Sequence, residues 1–173
     1  SSKKSCRIDC KPKNKTAVIK TSKGDIHIEL NNEKSPKTVE NFIKYAQEGQ
    51  YKDTIFHRII NNFMIQGGEY KVDKSSKKPA HPPIKSESSN GLKNKKGTVS
   101  MARTNNPDSA KAQFFINVRD NKALDKTNKK EGYTVFATVT KGMDIVNNIK
   151  ISKTNNKNWP EDPTVIYDVK IEQ

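Results

Sequence analysis

The apolar residues of this 173-residue chain fall in short runs with a period of two, and turn-forming residues cut every run off. Ile26, Ile28 and Leu30 alternate with His27 and Glu29, and Val165, Tyr167, Val169 and Ile171 alternate with polar residues near the C-terminus. A period of two belongs to a strand with one buried face. Residues 17–22 and 26–30, with Gly24-Asp25 between them, read as a hairpin. Further strands are expected near 54–60, 62–66, 99–102, 113–118 and 133–140. Two stretches change to helical spacing. Ser35-Pro36 joins a good N-cap to a proline suited to the first helical position, and Val39, Phe42, Ile43 and Ala46 follow as one stripe. Gly49 can end that helix in a left-handed conformation. A shorter helix follows Gly142, with Met143, Val146 and Ile149 facing inward. Seven or eight short strands and two helices favour an antiparallel sandwich or a closed barrel over βαβ repeats.

A chain of this length forms one domain with a core of its own. No run approaches the roughly 20 apolar residues of a membrane span. The net charge is +14, and residues 1–23 hold eight cations against Asp9, half of the total. Such an arm is either a solvated basic extension or a tether to an anionic surface or nucleic acid. No aromatic residue interleaves its lysines, so base stacking is not indicated. Both cysteines, Cys6 and Cys10, lie there. Their spacing permits a small disulfide, as in an oxidising compartment, or two free thiols. No second pair completes a zinc site. Residues 1–16 are read as a basic N-terminal extension and residues 17–173 as the folded domain. The chain begins with Ser1, which fits an exported, periplasmic protein with its signal removed; a trimmed cytoplasmic protein is the alternative.

No nucleophile elbow, phosphate-cradling glycine loop or His-Glu metal helix is present, and no cofactor is implied. His27 is expected on an outward strand face, His81 exposed among prolines, and His57 as a hydrogen-bonded structural residue. Residues 71–96 form a long polar loop. A different pattern stands out. Residues 56–68, 99–104 and 113–118 each mix bulky apolar side chains with one or two hydrogen-bonding groups. On a regular strand Phe56, Arg58 and Ile60 share one face and Ile55, His57 and Ile59 the other. Arg58 is then either a fixed guanidinium at the rim of an apolar pocket or an edge cap with a carboxylate partner.

"FHRIINNFMIQGG" (residues 56–68), "GTVSMAR" (97–103) and "AQFFINV" (112–118), in this order and spacing, resemble the cyclophilin family of peptidyl-prolyl isomerases, most closely its bacterial type. The resemblance runs from about Val18 to the C-terminus. It implies a mainly β fold, a closed eight-stranded antiparallel barrel capped by two α-helices. It implies rotation of X–Pro peptide bonds in protein substrates, assisting folding; a non-catalytic peptide-binding chaperone or scaffold using the same groove is the alternative. It places the catalytic arginine at Arg58, supported by Gln66. Phe63, Met64, Phe115 and Leu124 correspond to the proline pocket, and Gln66 and Gln113 to its polar wall. Ala102 and the main chain of Arg103 correspond to the segment that pairs with bound peptide. The chain departs from many eukaryotic members at two groove positions: Ala123 stands where they carry Trp, and Tyr133 where they carry His. Weak cyclosporin binding is expected from these two changes. The expected partners are proline-containing polypeptides, with no nucleic acid, no membrane span and a monomeric state.

Overall fold

The computed structural model describes residues 14–172; the arm with Cys6 and Cys10 lies outside the described residues. Eight strands run β1 (Thr16–Thr21), β2 (Gly24–Leu30), β3 (Thr54–Ile60), β4 (Met64–Gly67), β5 (Thr98–Met101), β6 (Phe114–Asn117), β7 (Val135–Lys141) and β8 (Val165–Glu172). They close into one barrel in the order β1-β2-β7-β5-β6-β4-β3-β8, every pair antiparallel. The barrel solution is thus realised over the sandwich, and closure leaves no open sheet edge.

Register turns alternation into an inside and an outside. Ile59 pairs with Ile65, Ile65 with Ile116, Ile116 with Val99, and Val99 with Ala137. All five are buried in the core. The neighbouring row, Arg58–Gln66–Phe115–Ser100, lies one residue along each strand. Its side chains leave by the opposite face, because successive Cβ atoms alternate. That outward row is the foundation of the site.

The register slips at four places in the barrel: between Phe56 and Arg58 on β3, Lys20 and Thr21 on β1, His27 and Ile28 on β2, and Val99 and Ser100 on β5. Between β3 and β4, Phe56 pairs with Gly67 while Arg58 pairs with Gln66, so His57 is an extra residue. Phe56 therefore joins Ile59 inside the core, while Arg58 is exposed. The regular-strand expectation that Phe56 and Arg58 share a face is corrected by this one-residue slip. Gly67 is needed here, since a Cβ would sit 2.7 Å from the Ile55 carbonyl oxygen. Between β1 and β8, Lys20 pairs with Asp168 and the next residue, Thr21, with Ile166. Tyr167 is the extra residue; it is 57% exposed, and Ile166 is buried in its place.

Helix α1 (Pro36–Gln47) packs against β8 and buries Val39, Phe42, Tyr45 and Ala46. The Phe42 ring meets Phe136 at 5.0 Å and Phe114 at 5.8 Å between centroids. Burial of each such side chain contributes about 1.5–3 kcal/mol. Ser35 is not the cap that its position suggests: its hydroxyl donates to the Val135 carbonyl at 2.6 Å. The first-turn N–H groups of Lys37 and Thr38 instead donate to the carboxylate of Glu87, at 3.3 and 2.7 Å. The helix ends at Gly49, φ +81°, as its sequence predicts. Helix α2 (Met143–Lys150) inserts Val146 and Ile149 and packs on β2, β3 and β4. No helix among the described residues is long and apolar enough to cross a membrane.

Candidate active site

Two adjoining hollows lie outside the barrel over the outward row, and both are bordered by Gln66, Ala102 and Arg103. The first has a volume of about 190 Å³. Its apolar floor and walls are Phe63, Met64, Phe115, Leu124 and Tyr133, with Arg58 at the lip. Strands supply Arg58, Met64, Gln66 and Phe115, whose positions follow from the ladder. Loops supply the remainder. The β3–β4 turn carries Asn62 at φ +66° and delivers Phe63, whose N–H donates to Ile60 at 3.0 Å. Asparagine tolerates this left-handed conformation better than most residues. A single 3-10 turn, Lys122–Leu124, brings in Leu124.

The second hollow, about 280 Å³, is polar: Glu69, Thr104, Ser109, Lys111 and Gln113 line it. Gln113, expected in the wall of the proline pocket, faces this second hollow. It still belongs to the site through a relay. The Arg58 Nη1 donates to Gln66 Oε1 at 3.5 Å, Gln66 Nε2 to Gln113 Oε1 at 2.8 Å, and Gln113 Nε2 to Glu69 Oε1 at 3.2 Å. The Ser76 hydroxyl satisfies the other oxygen of Glu69 at 2.8 Å. Glu69 thus anchors the relay; it carries no motif, and only the fold brings it here. None of the ion pairs among the described residues involves Arg58. Its guanidinium is held by an amide and keeps its remaining N–H groups free for another partner. That arrangement favours the pocket-rim reading over the edge cap.

Tyr133 forms one wall together with Phe115, ring centroids 5.7 Å apart and nearly perpendicular. The Arg103 guanidinium lies 4.2 Å from the Tyr133 ring centroid and donates to the Gly132 carbonyl at 3.2 Å. Cation–π contact and hydrogen bonding therefore lock the Arg103 side chain over the groove wall. Ala123 is exposed beside this wall, so no bulky side chain closes it there.

The three histidines stand apart from the hollows. His27 is half-buried on β2. His81 is not an exposed loop residue: its Nε2 lies 2.6 Å from Glu48 Oε1 and its ring packs on Tyr45. His57 is structural, but through aromatic packing rather than hydrogen bonding. It touches Tyr70 and Trp159, and its buried Nδ1 has no hydrogen-bond partner. Burial lowers its pKa to about 4, so it is neutral at physiological pH.

Comparison with known proteins agrees with this architecture. The family model for cyclophilin type peptidyl-prolyl cis-trans isomerases matches residues 16–171. A peptidyl-prolyl cis-trans isomerase of Streptomyces antibioticus is 49% identical over 163 residues, covering 90% of this chain and 98% of that one. Peptidyl-prolyl cis-trans isomerase B of Escherichia coli is 49% identical over 145 residues, covering 82% and 88%. The crystal structure of a Cryptosporidium parvum cyclophilin superposes with a TM-score of 0.79 at 26% identity, covering 92% of this chain and 98% of that one. Barrel, groove and motifs converge, and the chain belongs to the cyclophilin-type peptidyl-prolyl cis-trans isomerases.

Proposed function

We propose that the groove binds proline-containing segments with the proline ring in the hollow of Phe63, Met64, Phe115 and Leu124, and that Arg58 supplies the catalytic donor for X–Pro isomerisation. A peptide bond resists rotation by about 18–20 kcal/mol because resonance gives C–N double-bond character. At X–Pro bonds both isomers are populated but exchange takes on the order of tens to hundreds of seconds. Millisecond turnover needs about 6–7 kcal/mol of barrier reduction, at 1.36 kcal/mol per decade. No covalent bond breaks, so neither nucleophile nor metal is required. As the bond twists, the proline nitrogen becomes pyramidal and regains its lone pair. A donor aimed at that nitrogen binds the twisted state and not the planar one, which is the condition for catalysis.

The observation that carries this reading is the position of Arg58: an always-charged, forked donor at the lip of a hollow floored by apolar side chains, restrained by Gln66 alone. A structure of the related Cryptosporidium parvum enzyme was obtained in the presence of the dipeptide Ala-Pro, a ligand of the size this hollow fits. Gln66 orients Arg58 rather than donating to the substrate. The test is isomerase turnover on a proline tetrapeptide. Arg58→Ala is expected to lose about 10²–10³ in kcat, the cost of removing one transition-state donor. Arg58→Lys is also impaired, because a point charge lacks the fork. Near wild-type turnover by Arg58→Ala would falsify the electrostatic account and favour a non-catalytic binding role.

Three further readings accompany this one. Cyclosporin binds weakly, in the micromolar range or above, because Ala123 and Tyr133 replace two groove residues of its tight-binding relatives; a nanomolar Kd by titration contradicts this. The active form is a monomer, since Val72, Ile151 and Tyr167, the exposed large hydrophobics among the described residues, are scattered singly; light scattering checks the mass. The protein works in an exported, oxidising compartment, on the strength of the Cys6 and Cys10 spacing; two free thiols in freshly fractionated protein count against it.

A further inference from the structure

Five side chains make the apolar surface of the proline hollow, and the ladder fixes only Met64 and Phe115. Phe63, Leu124 and Tyr133 come from two connections: the β3–β4 turn carries Phe63, and the long β6–β7 loop carries Leu124 in its 3-10 turn and Tyr133 just before β7. Backbone hydrogen bonds join Tyr133 N–H to the Leu124 carbonyl at 2.9 Å and Val118 N–H to the Phe63 carbonyl at 3.1 Å, but none joins Phe63 to the other two. A buried amide network does. Asn94, Asn117 and Asn121 are exposed by 1%, 0% and 3%. The Asn121 side-chain amide donates to the Phe63 carbonyl at 2.9 Å and to Asn117 Oδ1 at 2.8 Å. Asn117 Nδ2 donates to Asn94 Oδ1 at 3.1 Å and to Thr98 Oγ1 at 2.9 Å. Asn94 Nδ2 donates to the Leu124 carbonyl at 3.1 Å and to the Tyr133 carbonyl at 3.2 Å. The Ser100 hydroxyl closes the network on Asn94 Oδ1 at 2.6 Å, and the Asn121 N–H donates to the Asn94 carbonyl at 2.8 Å.

We infer that Asn94, Asn117 and Asn121 are positioning residues for proline binding: one buried network ties the backbones of Phe63, Leu124 and Tyr133 and so sets the width of the hollow. None of the three lines the hollow. Their effect passes through the carbonyls they hold. Each amide spends its donors inside the network, so any shift of one loop leaves a buried polar group unpaired. A fully satisfied buried network therefore has one favoured arrangement, which an apolar filling of the same space would not impose. The catalytic relay Arg58–Gln66–Gln113–Glu69 shares no hydrogen bond with it. The two devices are separable: one holds the ring, the other acts on the nitrogen.

This inference rests on the isomerase reading and is tested so that the two can fail apart. Steady-state kinetics on a proline tetrapeptide are measured for the wild-type chain, Asn121→Ala and Asn94→Ala, well below each variant's Tm. The expected result is a KM raised about tenfold, the factor matching one lost buried hydrogen bond, with kcat within about twofold. Loss of ground-state and transition-state binding alike gives that split, whereas a smaller folded fraction lowers kcat at constant KM. A KM unchanged in both variants overturns the inference while leaving the isomerase reading intact; a wild-type chain without turnover overturns both. Should the variants not fold, the wild-type chain decides. Titration with the same peptide should move the side-chain amide NMR signals of Asn94 and Asn121 along the same binding curve as the Phe63 and Leu124 backbone amides. Side-chain signals that stay fixed through saturation overturn the inference.

Discussion

His57 lies next to Arg58 in the chain yet has a separate task, and its chemistry gives a pH signature distinct from catalysis. The ring is packed between Tyr70 and Trp159, and burial holds its pKa near 4, below the ordinary 6.5. The unfolded chain therefore takes up a proton at this site as pH falls through 6.5, and the folded chain does not until about pH 4. Stability is complete above pH 6.5 and falls across that window, by about 1.36 kcal/mol per unit and up to roughly 3 kcal/mol in all. Urea midpoints measured from pH 7.5 to 4 should show this slope. In His57→Phe the slope should flatten, while turnover at pH 7.5 changes little. A slope of equal steepness in that variant would assign the acid sensitivity to other groups. A guanidinium, by contrast, is an always-charged donor. Isomerase turnover should thus stay level over pH values at which stability is already declining.

A long-range carboxylate caps helix α1, and it stands 49 residues from Thr38 in sequence. Glu87 accepts from Lys37 N, Thr38 N and the Thr38 hydroxyl, the last two at 2.7 Å. It combines a cap with a negative charge at the positive end of the helix dipole. Glu87→Ala should cost about 1–2 kcal/mol in urea unfolding, since first-turn donors lose their acceptor. Glu87→Gln should cost less, because one oxygen remains. A change below measurement error in Glu87→Ala would return the capping role to Ser35 or to water. The same contrast marks what can be read from sequence at this scale. Period-two strands and the Val39–Phe42–Ile43–Ala46 stripe are local patterns, and local patterns identify elements. The bulges are not local patterns. A phase slip at His57 or Tyr167 is invisible where apolar residues lie on both sides, as with Ile55-Phe56 and Val165-Ile166. Capping is likewise legible only when the partner is near in sequence. Arg58, Phe63, Met64, Gln66 and Phe115 were legible because the three motifs carry them together; Leu124 and Tyr133 lie outside those motifs. Glu69 and the Asn94–Asn117–Asn121 network were not legible, because their roles exist only once distant loops are brought side by side.

At the scale of the molecule the surplus of positive charge is a property of the barrel as well as of the arm. Residues 1–13 hold five cations against Asp9, a net +4 out of +14, so +10 remains on residues 14–173. Near the groove the carboxylates keep their charge but have their oxygens engaged by other donors. Glu69 is engaged by Gln113 and Ser76, Asp125 by the Asn94 N–H at 2.6 Å, and Glu131 by Ser88 and Lys126. Arg58, Lys111 and Lys122 enter no ion pair among the described residues. An approaching peptide therefore meets unpaired cations and carboxylates that are already occupied. Charge of this kind raises encounter rates more than it deepens binding, and salt screens it over about 8–10 Å. Peptides with Glu flanking the X–Pro unit should show a kcat/KM several-fold above the same peptides with Lys at low ionic strength. The advantage should shrink on the order of tenfold salt addition, with kcat unaffected. Deleting residues 1–13 should preserve most of the effect, which separates a barrel field from an arm. Equal kcat/KM for the two peptides at low salt would mean that the occupied carboxylates still cancel the field at the groove.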